Sequence, residues 1–355
     1  MMNQWLFNID MWTVIGLLTF ITGLLVTRLM IWVNIHDTPI YRSSHTKVTP
    51  RSGGFGIIVG FFACILYFAL HNDLFPPQDW RLWLIGAAAF GLIIVSMLDD
   101  IRSVSLRYKL CTQILVASLV VISGLSLNHL SLPRFGIVEM GSFGAILALI
   151  SVIFFTNTFN FMDGLDGLVS GTTLVASFFG ILIGLFFYDP VFVCVNFALF
   201  FSTLGFFVYN FSPARIFMGD VGSQFLGFLW ALMLLFTTHG KLSIYTIPIL
   251  FFAFIYDVTL TIIRRLVKGQ SIWHPHRTFL FHILHRSGLT HRRISLIYMV
   301  FAIIQGLGAV FVQFIDIHRQ IFMVIPYAVI MIFYTTWVGR RAYQHIPPPK
   351  KSRKK

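Results

Sequence analysis

Between residues 157 and 167, polar groups recur every third position: Asn157, Asn160, Asp163 and Asp166, with a glycine directly after each aspartate. The segment sits between apolar runs long enough to cross a membrane. Carboxylates are costly there unless water, a cation or a buried partner compensates them. The glycines suit a tight, non-helical turn whose N–H groups can approach a ligand closely. This predicts a turn at a membrane face that forms one wall of a polar site. Asp166 is also a candidate N-cap for the helix that follows. Asp99-Asp100 closes an earlier apolar run. Adjacent carboxylates repel each other, and a helix C-terminus disfavours negative charge, so the pair calls for a cation. A solvated pair offset by Arg102 and Arg107 is the plainer alternative. Asp220, in Phe217-Met218-Gly219-Asp220-Val221-Gly222-Ser223, is either a helix cap or a third carboxylate at the same depth. Hard oxygen ligands on short loops, with room for phosphate oxygens, suit magnesium, for which manganese can substitute. No Cys/His spacing supports zinc. Cys64, Cys111 and Cys194 stand alone in apolar runs and read as small hydrophobes.

Basic and polar groups accompany the acids. Arg107, Lys109 and Gln113 begin the fourth apolar run, where they either snorkel to headgroups or neutralise phosphate. An early loop holds Asp37, Arg42, His45 and Lys47, then Pro50-Arg51-Ser52-Gly53-Gly54 opening a helix, an arrangement resembling an anion-binding helix start. Asp257 precedes Arg264-Arg265, Lys268, His274, His276, Arg277, His282 and His285. These could bind a pyrophosphate or orient a nucleophile; a basic loop on lipid headgroups is the equal alternative. Neither a Walker lysine loop nor a dinucleotide glycine fingerprint occurs.

The elements that must position these groups are membrane helices. The chain is 57% hydrophobic and 11% charged, against about 25% charged residues in soluble domains, and its apolar runs are continuous rather than alternating as in a barrel. With about 20 apolar residues per crossing, eleven spans are predicted: Trp12–Val33, Gly53–Leu70, Leu82–Leu98, Leu110–Leu127, Phe143–Phe159, Leu168–Phe187, Val191–Val208, Ser223–Thr238, Ile244–Ile263, Ile294–Val312 and Ile321–Val338. They form one multi-span domain over 1–338, followed by a basic tail at 339–355. Met1 to Met11 contains Asp10 and no Lys or Arg, the reverse of a basic leader region. With the N-terminus outside, the cytoplasmic connections carry 21 Lys and Arg and the outer ones 4, the sense expected from the positive-inside rule. Asp37, Asp99, Asp100, Asp163, Asp166, Asp220 and Asp257 then all lie at the cytoplasmic face. The formal net charge of +13 is concentrated beside spans and in the tail, which points to anionic lipid and away from nucleic acid.

Together these segments resemble the polyprenyl-phosphate N-acetylhexosamine-1-phosphate transferase family over nearly the whole chain. The matching elements are D-x-P…R…H…P-x-x-G-G (Asp37, Pro39, Arg42, His45, Pro50 to Gly54), a DD pair with K…Q (Asp99, Asp100, Lys109, Gln113), N-x-x-N-x-x-D-G-x-D-G (Asn157 to Gly167), M-G-D-x-G-S (Met218 to Ser223), and P…D ending in R-R-x-x-K-G (Pro248, Asp257, Arg264 to Gly269). Within the family, the chain looks most like the bacterial enzymes that move GlcNAc-1-phosphate from UDP-GlcNAc onto undecaprenyl phosphate in the inner membrane, the first membrane step of a cell-surface polysaccharide. The resemblance implies an all-α, eleven-span fold with a cytoplasmic cleft and bound Mg²⁺. It implies Asp220 as the metal ligand, with Asp99 and Asp100 as further candidate ligands. Asp99 would deprotonate the carrier phosphate, while Asn157, Asn160, Asp163 and Lys109 would hold the nucleotide or its phosphates. A homodimer is compatible with it.

One element departs from the family. Its H-x-H-H appears here as Phe279-Leu280-Phe281-His282, and the acid of a preceding D-R pair is His276 before Arg277. The expectation is that His282, with His274 or His276, covers the lost function. The competing donor, UDP-MurNAc-pentapeptide, belongs to a branch with a different histidine loop, and other UDP-N-acetylhexosamines remain alternatives. An ion-coupled transporter would place its acids near the bilayer midplane; here they collect at one face.

Overall fold

The computed structural model describes residues 9–37, 48–71, 74–132, 136–240, 242–271 and 276–346. Helices dominate because a chain this apolar must satisfy its backbone polar groups within each segment. In order they are α1 (Ile9–Val33), α2 (Gly54–His71), α3 (Trp80–Ile101), α4 (Leu106–Ile122), α5 (Gly141–Met162), α6 (Leu168–Phe186), α7 (Pro190–Asn210), α8 (Gly219–Thr237), α9 (Thr246–Leu250), α10 (Phe252–Val267), α11 (Leu280–Arg286), α12 (His291–Phe311) and α13 (Val324–His345). Two small antiparallel pairs complete the described chain. One joins β1 (His36–Asp37) to β2 (Thr49–Pro50); the other joins β3 (His129–Leu132) to β4 (Gly136–Glu139). Local chemistry sets several helix starts: Asp79 accepts from the Arg81 N–H at 3.0 Å before α3, and Asp189 from the Phe192 N–H at 3.0 Å before α7, with Pro190 in its first turn.

Among the described residues, nine helical segments are long and apolar enough to cross a membrane. Two predicted spans take a different form. Leu110–Leu127 corresponds to α4, a helix of 17 residues. Ile244–Ile263 is broken into α9 and α10 at Phe251 (φ −116°, ψ 24°). Pro248 lies just before the break and cannot donate to a helical ladder. Gln305 of α12 splices the gap: with its amide oriented to satisfy both groups, it donates to the Leu250 carbonyl and accepts from the Ala253 N–H, each at 3.0 Å.

Helix α8 is the most enclosed of the nine candidate spans. It packs against α2, α3 and α5, while α1 packs on α2 and α7, and α6 on α7 and α12. The α2–α8 approach is unusually close: a Cβ on Gly54 would fall 2.7 Å from the Gly222 backbone nitrogen. Only glycines allow that contact. The start of α8 therefore meets the start of α2 and the ends of α3 and α5, which is where the acidic motifs lie.

Candidate active site

Asp100 is 1% exposed and acts as the cap of a helix to which it does not belong. Its Oδ1 accepts from the Asp220 N–H at 2.9 Å; its Oδ2 accepts from the Ser52 hydroxyl at 2.9 Å and the Val221 N–H at 3.4 Å. A carboxylate on α3 thus satisfies orphan donors in the first turn of α8. Arg51 closes the end of α3, donating to the Asp99 carbonyl at 3.0 Å and to the Asp100 carbonyl, with Nε 4.0 Å from Asp100 Oδ1. The adjoining glycines do not form an anion cradle. The Gly53 and Gly54 N–H groups donate to the Phe217 and Met218 carbonyls at 2.9 Å, and the Phe217 N–H to the Pro50 carbonyl at 2.8 Å. That expectation is corrected: the donors are consumed in holding segment 50–54 against 217–218.

Capped in this way, α8 directs Asp220 toward Lys109. The Lys109 ammonium contacts Asp99 Oδ2 and lies 3.0 Å from Asp220 Oδ2, and Asp99 Oδ1 accepts from the Val104 N–H at 2.7 Å. Asp220 is not a helix cap. It sits in the first turn of α8, where the macrodipole favours its charge, and Met218 holds the cap position with no side-chain bond. Gln224, one turn on, donates to Asp220 Oδ2 at 3.3 Å. Carboxamides surround the pair: Gln113 exchanges bonds with Asn157 (2.7 and 3.4 Å) and donates to Gln224 at 3.3 Å, while Asn160 donates to the Ser223 hydroxyl at 3.2 Å and bonds Asp220. Asp99, Asp220, Lys109, Gln113, Asn157 and Asn160 are therefore brought together as the sequence predicts. Two carboxylates already converge on one cationic nitrogen. Among the described residues no group of three or more His, Cys, Asp or Glu has metal-binding spacing. A dedicated all-protein cage is thus not formed. The donor set fits magnesium, which takes one or two carboxylates and completes its shell with water and substrate phosphates.

The glycine-flanked turn separates its two aspartates. Asp163 follows the end of α5, and no described residue donates a hydrogen bond to its carboxylate. Burial, then the charges of Asp220, Asp100 and Asp166, push its pKa well above the usual carboxylate range. Asp166 is bound on every side: Oδ1 lies 3.0 Å from His291 Nδ1, Oδ2 accepts from the Ala214 N–H at 3.2 Å, and its carbonyl accepts from the Ser295 hydroxyl at 2.7 Å. Burial raises its pKa, but His291 and the Ala214 and Ser212 donors together bring it below the ordinary value. Asp166 is not the N-cap of α6. Gly167 occupies that position at φ +73°, and Asn210 of α7 accepts from the Gly167 N–H at 3.1 Å and the Ser170 hydroxyl at 2.7 Å.

The histidine loop repeats the device seen at α8. Asp257, fully buried on α10, accepts from the Leu280 N–H (2.7 Å), the Phe281 N–H (3.4 Å) and the Tyr298 hydroxyl (2.7 Å), so it caps α11 from outside. This places His282 against the turn: a Cβ on Gly164 would stand 3.0 Å from His282 Nε2. Burial and the charges of Arg277 and neighbouring histidines lower its pKa to about 3, and its Nδ1 is buried without a partner among the described residues. His282 is therefore a neutral imidazole at the cleft. The family's other two histidine positions hold Phe279 and Phe281, both buried and stacked at 5.7 Å, with Phe279 also stacked on Phe161 at 5.8 Å. His276 packs on Phe279 at 4.9 Å and bonds the Thr278 hydroxyl at 2.9 Å; burial, then Arg265 and Arg264, lower its pKa to about 4. Arg264 and Arg265 donate to their own loop, at the Thr278 and Ser271 carbonyls, rather than to the acids. Asp37 lies on β1, its backbone paired with Thr49. Arg42, His45 and His274 lie outside the described residues.

The family described as glycosyl transferase family 4 is matched over residues 82–238. A probable undecaprenyl-phosphate N-acetylglucosaminyl 1-phosphate transferase of Bacillus subtilis (strain 168) is 30% identical over 332 residues, which cover 91% of this chain and 90% of the relative. The chain belongs to the polyprenyl-phosphate N-acetylhexosamine-1-phosphate transferase family. Undecaprenyl-phosphate alpha-N-acetylglucosaminyl 1-phosphate transferases of Escherichia coli (strain K12) and Salmonella typhimurium are 31% and 33% identical, over 78% and 83% of this chain and 76% and 81% of theirs. Membership supports a multi-pass membrane phospho-sugar transferase. Several groups that build the site of this transferase were not singled out in its sequence as site residues: Arg51, Ser52, Asn210, Gln224, His291 and Ser295. Each is a polar residue at or near a span end, the one signal that could have flagged them.

Proposed function

We propose that the chain transfers GlcNAc-1-phosphate from UDP-GlcNAc to undecaprenyl phosphate, giving undecaprenyl-pyrophosphoryl-GlcNAc and UMP. The observation that carries this reading is the convergence of Asp99, Asp220 and Lys109 beside Asp163, whose carboxylate accepts no hydrogen bond among the described residues. In a direct transfer, a carrier-phosphate oxygen forms a bond to the sugar-linked phosphorus of the donor, the bridging P–O bond breaks, and UMP leaves. Asp163, with no hydrogen bond to its carboxylate among the described residues and a pKa raised by burial and the neighbouring acids, is the base that would take the carrier's proton. Asp99 has both oxygens engaged and serves to hold Lys109, whose ammonium stabilises charge on the phosphates. A magnesium ion held by Asp220, or manganese in its place, would neutralise the pyrophosphate and the leaving UMP. Asn157, Asn160 and Gln113 line the same wall and orient the nucleotide. Asp100 and Asp166 position α8 and the turn. His282, neutral, is suited to hydrogen-bond donor atoms of the sugar or phosphate.

We infer eleven crossings of the bacterial inner membrane; the basic-residue asymmetry supports the orientation, with the N-terminus outside and this site at the cytoplasmic face. The test is UMP release by purified protein from UDP-GlcNAc, with and without undecaprenyl phosphate, with Mg²⁺ or excess EDTA, and with Asp220→Asn. Release that requires the acceptor and the metal, and is lost in the variant, supports direct transfer. Release without acceptor overturns the direct step, and activity with UDP-MurNAc-pentapeptide alone overturns the donor.

A further inference from the structure

Two residues, Gly164 and Leu165, separate Asp163 from Asp166, and the glycine gives the intervening backbone no stiffness of its own. What holds the turn lies on α12. His291, the first residue of that helix, meets Asp166 Oδ1 through Nδ1 at 3.0 Å. Ser295, one helical turn later and fully buried, donates to the Asp166 carbonyl at 2.7 Å. Residues four apart lie on one helix face, so α12 grips both the side chain and the backbone of the same aspartate. The His291 ring also meets the His285 ring edge-on at 4.6 Å, which ties the turn to α11 and hence to His282.

We propose that His291 and Ser295 form a positioning clamp on Asp166 that keeps Asp163 and His282 in register across the cleft. This inference rests on the transferase reading for its kinetic consequence, but not for its structural one. His291 and Ser295 act through Asp166: with Oδ1 held by His291 and Oδ2 by Ala214, the carboxylate cannot rotate, and the preceding residues are presented to Asp220 and Asp100 in one orientation. Releasing one corner lets the turn shift.

The test uses the full chain in detergent or nanodiscs, with His291→Ala, His291→Asn and Ser295→Ala. Asparagine places its Nδ2 where the histidine carries Nδ1 and can donate to Asp166 in the same direction. The expected result for His291→Ala is a fall in kcat of about tenfold or more, since small misplacements of reacting groups cost that much, with the donor KM changed by less than about twofold. His291→Asn recovers most of the loss. Amide exchange across 163–167 and 211–216 quickens in His291→Ala and Ser295→Ala, and that readout needs no substrate. The Ser295 variant removes one hydroxyl and keeps the test open if the histidine variant fails to fold. Wild-type exchange rates in both alanine variants would overturn the clamp, as would equal kcat losses in His291→Ala and His291→Asn or a change in KM alone. A wild-type protein that transfers nothing from UDP-GlcNAc would instead overturn the function, with the exchange result still deciding the clamp.

Discussion

Replacing Asp100 separates a positioning role from a chemical one. Alanine at this site strands three donors: the Ser52 hydroxyl and the Asp220 N–H, each at 2.9 Å, and the Val221 N–H at 3.4 Å. Each orphaned buried donor costs about 1–3 kcal/mol. The longest bond contributes least, and Arg51, a quarter exposed and 4.0 Å away, adds little after solvent screening. The expected loss is about 3–5 kcal/mol, the scale of removing one partner from a buried charged pair. Asparagine keeps one acceptor and turns its amide toward the Ser52 hydroxyl, which can accept as well as donate; its cost is about 1–2 kcal/mol. Because Asp220 is in the first turn of the helix that Asp100 caps, loosening the cap displaces Asp220. A 1 Å shift at a reacting group costs about 100-fold in rate, so alanine should approach that loss and asparagine fall well short of it. The assays are thermal unfolding followed by tryptophan fluorescence and UMP release, with Asp220→Asn in parallel. Asp220→Asn should abolish transfer while lowering the melting temperature by less than Asp100→Ala, since Lys109 keeps Asp99 as a partner. An Asp100→Asn protein that melts like wild type yet is as inactive as Asp220→Asn would refute the capping argument and place Asp100 in the chemistry.

Asp163 is expected to trade stability for activity. Its folded-state pKa lies above the unfolded value, so its native form binds the proton more tightly, and stability falls as pH rises from about 4 through the folded pKa. Asp163→Asn should therefore melt higher than wild type at pH 7–8 and lose transfer, with the stability gain vanishing in acid; a variant less stable at neutral pH would contradict the assignment. Gly54→Ala should wedge α2 from α8, because its Cβ meets the Gly222 backbone rather than a side chain that could move aside. Overpacking of this kind costs about 1–3 kcal/mol, and melting and UMP release should fall together; unchanged melting would show that the contact is not tight.

Much of this protein could be read from the chain alone. Long apolar runs leave helices as the only economical backbone, and the polar motifs at their ends mark Asp99, Asp220, Lys109, Asn157 and Asn160 as one cluster because few reasons exist to keep such groups beside hydrocarbon. Tertiary structure decided what each acid does. Adjacent aspartates in sequence look alike, yet Asp99 faces Lys109 while Asp100 turns under α8, because successive helical positions point about 100° apart. Asp163 and Asp166 share one motif, but only Asp166 meets α12 and the 211–215 loop. Asp257 reads in the sequence as an acid ahead of the basic loop, and only its partners make it the cap of α11. The broken α9–α10 pair was hidden in an unbroken apolar run, since its continuity depends on Gln305 from another helix. Composition and periodicity report the environment that a residue needs. Which partner fulfils that need depends on contacts between residues far apart in the chain, 129 positions for Asp166 and Ser295, and only the packed bundle brings them together.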